Sequence, residues 1–493
     1  MLIDARTLAD GAEITADVCI VGAGAAGITL ALELRNSGLA VALLAGGLEK
    51  PGDAYQNLYR GRMTGIDTWD LHRMRVRAFG GTTHHWGGWC RPLSPEDFER
   101  RAWMPGSGWP VTYAEMVPYY RRAQETVQIG GFSYDPVAVA DALGMPILGF
   151  DPDVVETRFY QYSPPTRFGT VYRQAIASAP DVRAYLDAHL TEIVLDGPRA
   201  RVSHLACRTL GGTRFTVTAE RHVLALGGLE NPRMLLASNR QLPEGVANRS
   251  GQVGRWFMEH PHYYSAPAMI VDARNDLRFY RAVHDVDVEA RPTRVRAGIA
   301  LSAAVRAAEK LPNFTCTLDT GDATGATGSV APGVADGLLA RRGSHVVRLS
   351  ARTEQTPDPD SAVTLGEGVD ALGLPRLELH WSVRDEDDRA LRRAFEIVAA
   401  ELGRASLGRL WVPTEDGRFS WDPQPGGHHM GTTRMDTSPD RGVVDADSRC
   451  HDVANLYLAG GSVFPTGGDA NPTLTIVALA HRLADHLKTG GAR

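Results

Sequence analysis

The chain has 493 residues, 43% hydrophobic and 22% charged, a balance that fits a folded protein of two or three domains and leaves disordered and repeat architectures aside. A formal net charge of −6 without a concentrated basic block gives nucleic acid and anionic membranes no electrostatic handle. Five cysteines lack paired spacing, which argues against zinc and haem-attachment patterns, and no run approaches the roughly 18 to 20 apolar residues of a membrane helix.

The first residues, Met1 to Arg6, carry no basic region followed by an apolar stretch, so a cytoplasmic protein is expected. Val18-Cys19-Ile20-Val21 predicts a buried strand, Gly22-x-Gly24-x-x-Gly27 a tight turn, and Ile28 to Leu34 a helix, with a second strand at Leu39 to Leu44. That order is the pattern of a dinucleotide site: glycines permit the turn, the approach of a pyrophosphate and close helix packing, and the helix N-terminus meets the phosphates. The acid usually found at the end of the second strand is missing, because the strand runs into Ala45-Gly46-Gly47. Either Glu49 swings back to the ribose or backbone and water hold it.

Gly80-Gly81-Thr82-Thr83-His84-His85-Trp86-Gly87-Gly88 is too rich in glycine for a regular element and lets the backbone pass close to something flat. The tryptophan-rich stretch from Trp103 to Tyr120 is expected to cover the site. Strands are predicted at Val182 to Leu186 and Leu190 to Val194, and a second strand-to-helix turn at Gly227 and Gly228. From about 263 to 425 the pattern becomes alternating, as in Val346 to Ser350 and Leu377 to Trp381, with one amphipathic helix from about Glu386 to Leu402. This reads as a separate sheet layer inserted into a discontinuous nucleotide domain.

In the last segment, His428 and His429 follow Gly426-Gly427 in a turn, where an imidazole titrating near neutrality can accept a hydroxyl proton. Leu456 to Gly461 is a strand ending in glycines, and Asn471-Pro472-Thr473 opens the final helix. Asn471 is either that helix's cap or a polar group beside the histidine. No histidine and cysteine cluster has metal-ligand spacing, so no metal is expected.

The motifs GAGAAG, GGTTHHWGG, ALGGLENPRMLLAS, HHMGTTRM and NPTLTIVALA resemble those of the glucose–methanol–choline (GMC) flavoprotein oxidoreductases, and within them the branch of pyranose oxidase, fructose and gluconate dehydrogenases and C-glycoside oxidases. The resemblance implies FAD as cofactor, His428 at the place of the family's catalytic base, and Asn471 at that of its paired asparagine. His85 falls where pyranose oxidase links its flavin covalently, with His84 standing in place of that enzyme's threonine. The cofactor contacts expected are Gly22, Gly24, Gly27, Glu49, Gly80, Gly81, Thr82, His85, Trp86, Gly87, Leu190, Gly227, Gly461, Pro472 and Thr473.

The fold expected is α/β, an FAD-binding doubly wound domain (residues 1–135, 180–262 and 426–493) with an inserted antiparallel-sheet substrate-binding domain (136–179 and 263–425). The reaction implied is oxidation of an alcohol to a carbonyl by hydride transfer to flavin N5, on a hydroxyl of a sugar or glycoside. The alternatives are a natural-product alcohol or a redox-silent, flavin-containing lyase. Oxygen, a quinone or an electron-transfer partner would serve as acceptor.

Overall fold

The structure, a computed structural model, describes residues 1–66, 70–197, 201–264, 267–272, 274–319, 344–412, 414–415, 418–419 and 423–490. The apolar run at Val18 forms the end of the strand Ala12–Val21, whose last four residues are buried. Buried on both faces, it sits mid-sheet. It pairs in parallel with Val41–Ala45 on one side and Arg214–Leu224 on the other. Val182–Leu186 and Leu2–Asp4 extend the sheet in parallel beyond Val41–Ala45. Beyond Arg214–Leu224 the strands Val202–Arg208 and His189–Leu195 continue antiparallel, and Leu456–Leu458 pairs in parallel with the end of Arg214–Leu224.

Gly22 adopts φ +109°, a backbone that favours glycine, and a Cβ there would strike the carbonyl of Ala225. A Cβ at Gly27 would strike the carbonyl of Gly22, so the third glycine sets how closely the helix Ala25–Leu34 packs on the turn. The final helix, Thr473–Lys488, lies against that helix and against Tyr113–Thr126, where the Tyr120 hydroxyl meets Thr475 Oγ1 at 2.9 Å.

A second, antiparallel sheet runs in the order Gly408–Trp411, Ala268–Asp272, Ser344–Thr353, Phe314–Leu318, Arg291–Leu301, Val155–Tyr162 and Trp89–Cys90. Register places Arg352 opposite Thr315 and Ser350 opposite Thr317, so these polar side chains share one face. The alternating Leu349, Ala351, Phe314 and Cys316 belong to the core cluster that also holds Leu391, Phe395 and Val398 of the helix Asp385–Arg404. Two buried ion pairs tie the halves together: Arg158 to Asp469 at 2.9 Å and Arg101 to Glu354 at 2.7 Å.

Two expectations change. Leu377 to Trp381, expected in the same layer as Val346 to Ser350, belongs to a separate three-stranded sheet with Ala362–Val369 and Arg62–Gly65. Alternation marks a strand but not its partner. The stretch from Trp103 to Tyr120 does not cover the cavity described below; Trp109 is buried against Phe98 and Phe464 and donates to Thr466 Oγ1.

Candidate active site

Ends of parallel strands are where α/β sheets place ligands, because loops diverge there and helix N-termini converge. The segments after Val21, Ala45, Leu224 and Leu458 all reach one cavity, of about 930 Å³, through Gly22, Gly46, Gly227 and Gly460. The cavity runs from the N-terminus of Ala25–Leu34 to the polar face of the antiparallel sheet. No atom lies within 4 Å of where a Cβ would stand at Gly24 or Gly227. Its size, its glycine walls and a helix N-terminus free of any side-chain cap fit a dinucleotide.

Of the residues singled out in the sequence, Gly22, Gly24, Gly81, Thr82, His85, Trp86, Gly87, Gly227, His428, Gly461, Asn471, Pro472 and Thr473 line this cavity. Gly27 and Gly80 lie behind it, Gly27 under the turn and Gly80 donating its N–H to the carbonyl of Ala23 at 2.7 Å. Leu190 is packed into the core of the parallel sheet, away from the cavity wall. Glu49 does not swing back: its carboxylate is held at the surface by Arg173, 2.9 Å from Nη2. At the tip of the second strand sits Arg77 instead, whose Nε donates to the carbonyl of Gly46 at 3.0 Å. Of the adjacent histidines, His84 turns to the carbonyl of Phe79 at 2.9 Å and His85 faces the cavity.

At the other end the polar atoms form an ordered chain. His260 Nε2 lies 2.8 Å from the carbonyl oxygen of Gly468, which can only accept, so Nε2 carries the proton. The bare Nδ1 of His260 is 2.9 Å from Nδ1 of His428, which must then donate to it. His428 Nε2 is left with its lone pair, 3.1 Å from Asn471 Nδ2, which donates. The orientation of that amide is fixed in turn, because Arg352 Nη1 donates to Asn471 Oδ1 at 2.7 Å. Burial, followed by the neighbouring His260 and His262, holds His428 well below the ordinary imidazole pKa, and burial holds His260 down to about 4. Both rings are neutral at pH 7, so the tautomer chain is set.

Backbone support comes from Glu259. Its Oε2 accepts from the N–H groups of His428 at 2.9 Å, Gly426 at 3.2 Å and His260 at 3.2 Å, which fixes the turn carrying His428. Burial pushes this carboxyl up to about 8 despite those bonds. Asn471 is not a helix cap: the final helix starts at Thr473 without a side-chain cap, and both ends of the Asn471 amide are spent on His428 and Arg352. Glu259, His260, His262 and Arg352 were missed in the sequence. The signal was present in Phe257-Met258-Glu259-His260-Pro261-His262-Tyr263, a glutamate and two histidines embedded in apolar and aromatic residues.

Among the described residues no group of histidines, cysteines and acids could hold a metal ion, and no helix is long and apolar enough to cross a membrane. A family model described as GMC oxidoreductase matches residues 357–480. The chain is 27% identical to 2-methyl-1,2-propanediol dehydrogenase of Mycolicibacterium austroafricanum, over 96% of this chain and 95% of that protein. It is 24% identical to the fructose dehydrogenase large subunit of Gluconobacter japonicus, over 96% and 97%. In fold it is similar to the crystal structure of pyridoxine 4-oxidase from Mesorbium loti, with a TM-score of 0.63 at 17% identity, covering 95% of this chain and 98% of that one.

Proposed function

The chain belongs to the GMC oxidoreductase family and is an FAD-dependent enzyme that oxidises alcohols, and on that premise we propose that its substrate is a sugar or glycoside whose hydroxyl proton is taken by His428. FAD, when bound, supplies the acceptor for the hydride that leaves the carbinol carbon. Gly22, Gly24 and the N–H groups at the start of Ala25–Leu34 would hold its pyrophosphate, and Gly81, Thr82, His85, Trp86 and Gly87 would lie along its ring system. The N-terminus of the final helix, with Pro472 and Thr473 at the cavity, would place its positive dipole end there.

The observation that carries the reading is the hydrogen-bond chain from Gly468 to Arg352. It leaves one lone pair, on His428 Nε2, next to one N–H donor, on Asn471 Nδ2. A substrate hydroxyl that displaces this hydrogen bond between Asn471 and His428 gives its proton to the imidazole and accepts from the amide, so one group holds the alcohol and the other deprotonates it. Because Asn471 Oδ1 is engaged by Arg352, the amide cannot flip and present its oxygen to the substrate oxygen. Arg352 brings a positive charge to the same spot, which favours the alkoxide character that develops on the oxygen.

Anaerobic mixing of the purified, FAD-loaded protein with sugars, glycosides and simple diols tests this: bleaching of the flavin absorbance by sugars is expected, and bleaching by diols alone would discard the sugar reading. We also place the protein in the cytoplasm, a reading supported by five cysteines that are all unpaired and buried. For the acceptor we favour a quinone or an electron-transfer partner over oxygen. Reoxidation by air faster than turnover, with stoichiometric peroxide, would reverse that choice.

A further inference from the structure

Most buried arginines of this chain meet a carboxylate: Arg75 and Arg233 bind Glu230 at 2.8 and 3.0 Å, Arg101 binds Glu354, Arg158 binds Asp469, and Arg306 binds Glu96. Among the described residues three buried arginines have no carboxylate within ion-pairing distance: Arg296, Arg352 and Arg434. Arg434 does not reach the cavity, its guanidinium donating to the carbonyl of Gly106 and lying over Trp256. Arg296 and Arg352 both line the cavity, on neighbouring parts of the antiparallel sheet and only 9% and 7% exposed.

Their surroundings leave the cations uncompensated. Arg352 spends one N–H on the neutral oxygen of Asn471, and its Nε is buried without a partner. Arg296 donates to the backbone carbonyls of Tyr280 and Leu318. Trp89 lies between them, its ring centre 5.5 Å from the Arg352 guanidinium carbon and 5.9 Å from that of Arg296, and Tyr160 flanks Arg352 at 5.1 Å. These aromatic walls hold the guanidinium planes in place without neutralising them. The one acid among the described residues lining the cavity, Asp319, accepts from Ser350 Oγ at 2.7 Å and is not within ion-pairing distance of either arginine. Asp469, a carboxylate that acts on Arg352 electrostatically, is itself bound by Arg158.

A desolvated charge is costly unless it is paired, and a guanidinium fork matches the two oxygens of a compact anion. We propose that the alcohol oxidised here carries an anionic group, a carboxylate in the first instance, that docks on Arg352 and Arg296 while its hydroxyl lies between His428 and Asn471. Since Arg352 touches Asn471 directly, the anion sits within a few bonds of the reacting carbon, as in an acidic sugar or a short hydroxy acid. This rests on the reading of His428 and Asn471 as the alcohol site and narrows its substrate class.

The test uses the FAD-loaded enzyme with matched pairs: glucose against glucuronate, and glucose against glucose 6-phosphate, which separates carboxylate from phosphate. Expected is a kcat/KM at least about tenfold higher for glucuronate, falling by a similar factor in Arg296→Gln. Raising the salt from about 20 to about 200 mM, which shortens the screening length, should weaken glucuronate more than glucose. Because Arg352 also orients Asn471, Arg352→Gln should slow both partners and is read as a ratio: a clearly larger loss for glucuronate than for glucose supports anion recognition, and an equal loss for both overturns it. Oxalate, which cannot be oxidised as an alcohol, gives a readout free of turnover: it should perturb the flavin spectrum of the parent and not of Arg296→Gln. Neutral sugars reacting as fast as acidic ones, with no oxalate shift, would overturn the proposal and leave the alcohol reading intact. If no alcohol of either class bleaches the flavin while oxalate still binds, it is the alcohol reading that fails.

Discussion

The proton acceptor proposed at His428 needs its lone pair on Nε2, and which nitrogen keeps that lone pair is decided by His260, 168 positions earlier in the chain. Replacing His428 by alanine should leave FAD bound, if the glycine walls hold it as proposed, and slow substrate-driven bleaching by roughly 10² to 10⁴. His260→Leu removes the acceptor that keeps the proton on Nδ1, so the ring can settle with Nε2 protonated; a comparable loss is expected. His260→Asn sets an amide oxygen near the place of Nδ1 and should recover part of the rate. Histidine ¹⁵N spectra would show the tautomer directly, and an unchanged His428 tautomer in His260→Leu would remove His260 from the argument. Burial lowers the His428 pKa, so its neutral form persists as pH falls through 6.5; the acid limb of kcat/KM should therefore lie well below that value. Asn471→Ala should slow turnover by roughly 10² or more, and any loss of stability would come from its bonds to His428 and Arg352 rather than from a helix cap, because no cap bond exists to lose. The meeting of His428 with Asn471 was legible because each lies in a short, patterned motif. His260 was not, because what makes it matter is a contact between distant loops, and only the fold supplies that.

The strand–turn–helix at Ala12–Leu34 was legible for the opposite reason: every constraint on it, from the apolar run to the glycine spacing, is local. The end of the next strand shows where such reading stops. The absence of an acid after Val41–Ala45 was visible, but its replacement was not, since Arg77 arrives from a loop some thirty residues further on. Its guanidinium is only 12% exposed, bonded to the carbonyl of Gly46, 3.1 Å from His189 Nδ1 and 3.7 Å from the Glu230 carboxylate, and it lines the same cavity as His428. A donor there can serve the sugar oxygens that an acid would otherwise accept from. Arg77→Ala should weaken FAD binding by about 1.5 kcal/mol, roughly tenfold, read by fluorescence titration of the FAD-free protein. Glu49→Gln should leave affinity unchanged, as Glu49 is occupied with Arg173 at the surface. The opposite pattern would return the ribose to Glu49. Sheet membership was the least legible: Leu377 to Trp381 shows the alternation of a strand, yet nothing in it names Arg62–Gly65 as partner.

At the scale of the molecule, the same burial that keeps the active-site imidazoles neutral makes the fold sensitive to acid. His222, His260 and His429 are held down to about 4, about 4 and about 3, each chiefly by burial, while in the unfolded chain they titrate near the ordinary 6.5. Between those values the unfolded state binds more protons than the folded one, so stability rises with pH and is lost as pH falls below 6.5. Glu259 works in the other direction: raised to about 8, it favours the fold at low pH and loses that contribution as pH climbs from 4.5 through 8. The two trends together place greatest stability near neutrality. His222 offers the clean test, because it lies in the middle of the parallel sheet, fully buried, and does not line the cavity. His222→Leu replaces it with an apolar side chain that has nothing to protonate. Denaturant unfolding of parent and variant at pH 7, 6 and 5 should show the parent losing stability more steeply, the difference approaching about 1.4 kcal/mol per pH unit below 6.5. Parallel curves would mean that His222 is protonated as readily within the fold as in the unfolded chain, and burial would not be what holds it neutral.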